Sequence, residues 1–146
     1  MKTVSELLKS KPDTAVHAIA PDAPVLDAIK LMAEKRIGAL LAMEGERVVG
    51  IVTERDYARK VVLKGRSSKE TPVRDIMTSA VMYVRPEQSS EECMVLMTEK
   101  RLRHLPVMDG DRLVGMVSIG DLVKEVISEQ KFLIEQLQQY ISGGGG

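Results

Sequence analysis

The chain contains one unit twice. Displaced by 65 residues, Pro21–Val61 aligns with Pro86–Val126 without a gap, and 15 of the 41 pairs are identical. The matches include Leu31-Met32 with Leu96-Met97, Glu34-Lys35-Arg36 with Glu99-Lys100-Arg101, Gly45 with Gly110, Val49-Gly50 with Val114-Gly115, and Asp56 with Asp121. Two copies of a long repeat cannot make a solenoid, which needs at least three stacked units. They predict two half-domains that bury apolar faces on each other and frame a cleft with two equivalent sites.

At 146 residues the chain is one compact domain or two small intimate ones. Its hydrophobic share of 44% suffices for a core built on Val, Ile, Leu and nine Met, since only three Tyr, one Phe and no Trp are present. Lys and Arg number 21, as do Asp and Glu. That balance gives no electrostatic reason to bind nucleic acid or an anionic membrane. No apolar run approaches the ~18 residues of a membrane span. The first residues, Met1-Lys2-Thr3-Val4-Ser5-Glu6, lack an apolar stretch and are not expected to be a secretory signal. A single cysteine, Cys93, makes no internal disulfide and fits a reducing, cytoplasmic setting.

Each half shows the same wiring. Thr3-Val4-Ser5-Glu6 has capping-box spacing ahead of Leu7 and Leu8, which predicts a short helix. Thr71–Met77 looks like its counterpart. Ala15–Ile19 and Ala80–Val84 read as short strands ending at Pro21 and Pro86. A helix follows, with Val25, Ala28, Ile29, Met32 and Ala33 at 3/4 spacing; Cys93, Met94, Leu96 and Met97 fall on the matching face. Strands Ala39–Met43 and Val48–Val52 flank a turn at Gly45, and Leu105–Met108 and Leu113–Val117 flank one at Gly110, both positions where positive φ is expected. A helix starting near Asp56 or Asp121 closes each half. The order is β-α-β-β-α, an α/β (α+β) fold with pseudo-two-fold symmetry. The boundaries are a first repeat over 4–64, a polar linker over 65–72, a second repeat over 73–128, a helical extension over 129–142 and a flexible glycine tail over 143–146.

The extension carries Leu133, Ile134, Leu137, Tyr140 and Ile141, and its stripe is interrupted by Gln130. An amphipathic helix ordinarily serves its own core. This one has no counterpart in the first repeat, which favours a subunit interface.

Gly50-Ile51-Val52-Thr53-Glu54-Arg55-Asp56 and Gly115-Met116-Val117-Ser118-Ile119-Gly120-Asp121 share the pattern Gly-apolar-Val-hydroxyl-x-x-Asp, each where a strand gives way to a helix. Hydroxyl and carboxylate three residues apart is an N-cap arrangement, and capping alone would account for it. A helix start also presents free N–H groups and a positive dipole end to a phosphate. A neighbouring carboxylate can accept from both hydroxyls of a ribose. The two corners therefore read equally as caps or as two nucleotide sites.

The duplicated β-α-β-β-α order, Arg103-His104-Leu105-Pro106-Val107 before the turn, and the two Gly-x-x-Thr/Ser-x-x-Asp endings together resemble the cystathionine-beta-synthase (CBS) domain, over roughly Val4 to Ile127. Thr53-Glu54-Arg55-Asp56-Tyr57, Gly65-Arg66-Ser67-Ser68 and Ser118-Ile119-Gly120-Asp121 are similar to stand-alone CBS pairs, or Bateman modules. The resemblance implies a non-catalytic energy-sensing module that binds AMP, ATP or NAD(H) in the cleft between its repeats. It also implies a homodimer that signals to an effector protein. Carried over by residue, it places phosphate and ribose on Thr53 with Asp56 and on Ser118 with Asp121. Family sites mix the repeats, so Met82, Leu102, Arg103 and His104 would join the first corner, and His17, Ile37, Gly38 and Ala39 the second. Arg103-His104 stands where the other copy has Gly38-Ala39, so unequal affinities are expected.

Arg55, Arg59 and Arg66 are candidate phosphate contacts, against a plainer reading as solvated or linker residues. His104 and His17 read as ligand-rim or structural groups rather than bases, and Cys93 as core. No Cys/His spacing indicates a metal site. The alternatives to a sensor are an enzyme acting on an adenine nucleotide, against which no nucleophile–base pair is visible, and a structural dimerisation module with degenerate sites.

Overall fold

The computed structural model describes residues 2–12 and 15–144. The elements run α1 (Val4–Ser10), β1 (Ala18–Ile19), α2 (Val25–Lys35), β2 (Ala39–Glu44), β3 (Arg47–Thr53), α3 (Glu54–Tyr57), α4 (Ser90–Lys100), β4 (His104–Asp109), β5 (Arg112–Ser118) and α5 (Ile119–Gly144). A π-helical turn over Ala58–Val62 prolongs α3, closed by the Leu63 N–H on the Ala58 carbonyl, and a 3-10 turn covers Val73–Asp75. This is the mixed α+β order expected from the repeat.

The chain forms two compact units. One joins Met1–Thr14 to Val84–Asp109 and Val114–Gly146, the other joins Ala15–Tyr83 to Gly110–Leu113. In the second of these, β1 runs parallel to β2 with Ala18 opposite Leu41, and β2 pairs antiparallel with β3 from Ala39–Thr53 to Glu44–Arg47. Val25, Ala28 and Met32 of α2 meet Leu40, Ala42, Val52 and Val61 in its core. In the first, β4 and β5 are paired, and Cys93, Met97, Leu105, Val107, Val117 and Leu122 form the core. Both turns have the expected left-handed glycine, Gly45 at φ 61° and Gly110 at φ 62°.

The units do not follow the sequence repeats. Val4 and Leu7 of α1 are buried in the core of residues 84–146, whereas Val73 and Ile76 are buried in the core of residues 15–62. The main chain repeats the arrangement. Val73 N–H donates to Ala23 O, Arg74 N–H to Pro21 O, and Val25 N–H to Thr71 O. In the other unit Val4 N–H donates to Gln88 O, Ser5 N–H to Pro86 O, and Ser90 N–H to Lys2 O. The carbonyls of Thr71 and Lys2 thus accept from the first main-chain donors of α2 and α4, which have no acceptor within their own helix. Each repeat's leading segment completes the core of the other repeat.

Three expectations are corrected. The strand expected over Ala15–Ile19 is confined to Ala18–Ile19. The strand over Ala80–Val84 does not form: Thr78 is held by paired hydrogen bonds to Ile51, and only Val84 bridges, in parallel, to Val107. Gly143 and Gly144 continue α5 rather than a flexible tail, because glycine weakens a helix without forbidding it; residues 145–146 lie outside the described residues. Two further features carry no glycine or proline signal. α2 and α4 each end on a left-handed arginine, Arg36 at φ 56° and Arg101 at φ 54°.

Candidate functional site

Each β-to-α corner is closed by its own side chains. At Thr53, the N–H and the hydroxyl both donate to Asp56 Oδ2 (3.0 and 3.1 Å), and Asp56 N–H donates back to Thr53 Oγ1 (3.1 Å). At Ser118, the N–H donates to Asp121 Oδ2 (2.8 Å), and Asp121 N–H donates to Ser118 Oγ (3.2 Å). Both corners are therefore reciprocal caps. They are also half-buried carboxylates beside the positive ends of helix starts, where the N–H groups of Glu54, Asp56, Ile119 and Asp121 are already engaged.

A lysine attends each carboxylate, from a different place. Lys60, one turn beyond Asp56, brings Nζ to 3.3 Å from Asp56 Oδ1 and donates to Ile76 O (2.9 Å). The matching position in the second repeat is Glu125, which is buried and paired with Lys2 at 3.4 Å. The second corner takes its cation from the C-cap of α1 instead. Lys11 Nζ lies 3.0 Å from Asp121 Oδ2 and donates to Met116 O (2.9 Å). Burial pushes the Asp121 carboxyl up, but the Ser118 N–H, the Lys11 ammonium and the Ser118 hydroxyl outweigh it and hold the group below its ordinary value.

The other expected residues fall as follows. Gly38 accepts from Glu54 N–H (3.1 Å) and Ala39 is paired with Thr53, so the segment 37–39 lies beside the Thr53/Asp56 corner of its own unit. Arg103 O accepts from Ile119 N–H (2.9 Å), which sets Arg103 and His104 beside the Ser118/Asp121 corner of theirs. Ala39 is buried, so its side chain is not available to a ligand. His17 accepts from Leu41 N–H through its carbonyl, Ile37 and Leu102 are half-buried, and Met82 is exposed. Arg55 and Arg59 are exposed on the α3 run. Arg66 is paired with Asp75 at 2.8 Å.

A separate hollow of about 640 Å³ opens between α2 and the α3 run, lined by Arg36, Ile37, Gly38, Glu54 and Tyr57 among others; neither Thr53 nor Asp56 lines it. Cys93 is buried, and burial first, with the Glu92 charge second, pushes its thiol up to about 11, so it behaves as a small apolar group. Among the described residues no three His, Cys, Asp or Glu side chains gather to hold a metal, and no helix is long and apolar enough to cross a membrane. Lys11 and Lys60 escaped the sequence reading. The i,i+4 spacing of Asp56 and Lys60 could have found the second; nothing local marks the first.

Comparison with known proteins follows the same residues. The family model for the CBS domain matches residues 4–63 and 73–128. The CBS domain-containing protein CBSX3, mitochondrial, of Arabidopsis thaliana is 42% identical over 97% of this chain and 73% of its own length. A solved structure of a protein with CBS domains from Burkholderia ambifaria MC40-6 superposes with a TM-score of 0.86 at 60% identity, covering 88% of this chain and 96% of that one. The hexameric CBS-CP12 protein from bloom-forming cyanobacteria superposes with a TM-score of 0.75 at 27% identity, over 99% and 90% of the two chains.

Proposed function

Because the chain belongs to the CBS-domain family and carries the domain as a tandem pair, we propose that it is a non-catalytic regulatory module. Its ligands are adenosine nucleotides (AMP, ATP or NAD(H)), and the bound state is passed to a partner protein. The observation that carries this reading is the equivalence of the two corners. Both present an aspartate side chain, a hydroxyl, a helix start and a lysine. A carboxylate of this kind accepts from the two hydroxyls of a ribose, and the cation, beside the positive end of the helix, receives the phosphate.

The same reading assigns the module to a homodimer. Beyond Ser128, Phe132, Leu133, Ile134, Leu137, Tyr140 and Ile141 are all more than half exposed. Ile127, Ile134 and Ile141 alternate with Val123, Gln130 and Leu137 at heptad spacing, with Ile throughout one seam position and Val, Gln and Leu in turn at the other. That pattern favours pairing with a second copy, and a lone polar Gln130 in the seam would fix its register. We assign the module to the cytoplasm, where a reduced thiol such as Cys93 is stable.

Native mass spectrometry of the protein as purified, followed by thermal melting with millimolar AMP, ATP and NAD(H), tests the proposal. A ligand that binds only the folded chain raises the melting temperature by mass action. The proposal predicts a rise with at least one of the three. No shift with any of them, and no retained nucleotide, would reject it.

A further inference from the structure

We propose that Lys11 is the phosphate-recognising cation of the Ser118/Asp121 corner and makes that corner selective for nucleotides over the free nucleoside. The inference rests on the nucleotide reading above and adds a residue to it.

The position of Lys11 is built rather than incidental. α1 is anchored to its unit by the buried Val4 and Leu7, by main-chain bonds to Pro86 and Gln88, and by the Lys2–Glu125 ion pair. The C-cap of that helix delivers the Lys11 ammonium to the corner, where it is about three-quarters shielded from solvent, with a side-chain exposure of 24%. Two of its three protons go to Met116 O and Asp121 Oδ2. A ribose that brings both hydroxyls to Asp121 competes at Oδ2, which already accepts from the Ser118 N–H and the Lys11 ammonium. The displaced cation keeps its flexible four-carbon stem and is still tethered beside the helix start. It then has one strong class of new partner, the phosphate of the same ligand. A nucleoside offers no such partner, so it weakens the Lys11–Asp121 pair without replacing it. In the other corner Lys60 is more exposed, at 46%, and stands on the α3 run itself. The selectivity should therefore be stronger at the second corner, where the cation is better shielded from solvent. Position 120 beside it is glycine, and a Cβ there would meet nothing closer than Ser118 Oγ at 3.6 Å, so the approach is unobstructed from that residue.

The experiment isolates this corner in the full chain with Asp56→Ala and compares AMP with adenosine by calorimetry, with and without Lys11→Met. The expected result is that AMP binds at least about tenfold tighter than adenosine, from one charge-assisted contact. Lys11→Met should bring that ratio to about one by weakening AMP and sparing or strengthening adenosine, and Lys11→Arg should preserve it. An AMP-to-adenosine ratio unchanged by Lys11→Met overturns the role of Lys11 while leaving the nucleotide reading intact. Loss of all binding on Asp56→Ala alone overturns it as well, because the second corner is then no site. Absence of AMP, ATP and NAD(H) binding in the unsubstituted protein rejects the nucleotide reading and this inference with it. Should Lys11→Met fail to fold, the Lys11 side-chain NMR signals of the unsubstituted protein decide: they must shift on adding AMP and shift differently on adding adenosine, and the same response to both ligands overturns the proposal.

Discussion

A Cβ on Gly115 would lie 2.8 Å from Leu8 Cδ2 and 2.9 Å from Leu8 Cδ1. The same close approach occurs in the other unit, where a Cβ on Gly50 would lie 2.5 Å from Met77 Sδ. A glycine in the closing strand of each repeat thus admits an apolar side chain from the leading segment of the other. Gly115→Ala should destabilise the protein by about 1–3 kcal/mol through overpacking. Leu8→Ala should recover part of that loss in the double substitution. Urea denaturation of the four proteins measures the coupling, and strict additivity would show that the contact is not the cause.

The depressed Asp121 carboxyl predicts an acid limb in stability. A carboxyl whose folded pKa lies below its unfolded value stabilises the fold while ionised. Its contribution is complete above the ordinary value of 3.8 and is lost as pH falls through the folded value. The urea midpoint should therefore drop below about pH 4. Lys11→Met removes one cause of the depression and should flatten that limb, as midpoints measured from pH 6 to pH 3 would reveal.

Asp56→Asn and Asp121→Asn keep an oxygen for the Thr53 and Ser118 N–H groups while removing the charge. Each should cost the cap little and weaken nucleotide binding at its own corner by about 1.5–3 kcal/mol. Calorimetry on the two variants separates the roles, since affinity unchanged from the unsubstituted protein in both would reduce these residues to helix caps.

Truncation after Ser128 removes Leu133, Ile134, Leu137 and Ile141, in a stretch of α5 that adds nothing to the core of its own unit, and should lower the melting temperature only by what association contributes at the protein concentration used. Assembly should suffer instead, at about 1.5–3 kcal/mol for each aliphatic side chain fully buried between copies. Sedimentation across tens of micromolar protein tests this, and an unaltered association constant would count against an interface on α5.

Whatever depends on neighbours in sequence was legible. The Thr3–Glu6 and Thr53–Asp56 caps, the glycine turns at 45 and 110 and the apolar faces of α2 and α4 all follow from spacings of a few residues. The destination of the leading segments was not legible, because Val4 and Val73 suit either core equally well as apolar residues. Lys11 was invisible for the same reason: its bond to Met116 spans 105 residues. The strand over 80–84 was misread because alternation predicts an extended chain but not whether a neighbour edge is free to pair. The helix ends at Arg36 and Arg101 carry no glycine, so the usual stop signal is missing.

The traded leading segments make the gene's halves different from the protein's foldable parts. A polypeptide ending in the 65–72 linker would lack Val73 and Ile76, and its complement would lack Val4 and Leu7, so each fragment would carry an open core. Fragments of this kind should become stable only when produced together, each capping the other. A single-copy ancestor built on the same plan would have met its own needs by swapping that segment with an identical chain, and duplication followed by fusion would have turned a partnership between molecules into one within a molecule.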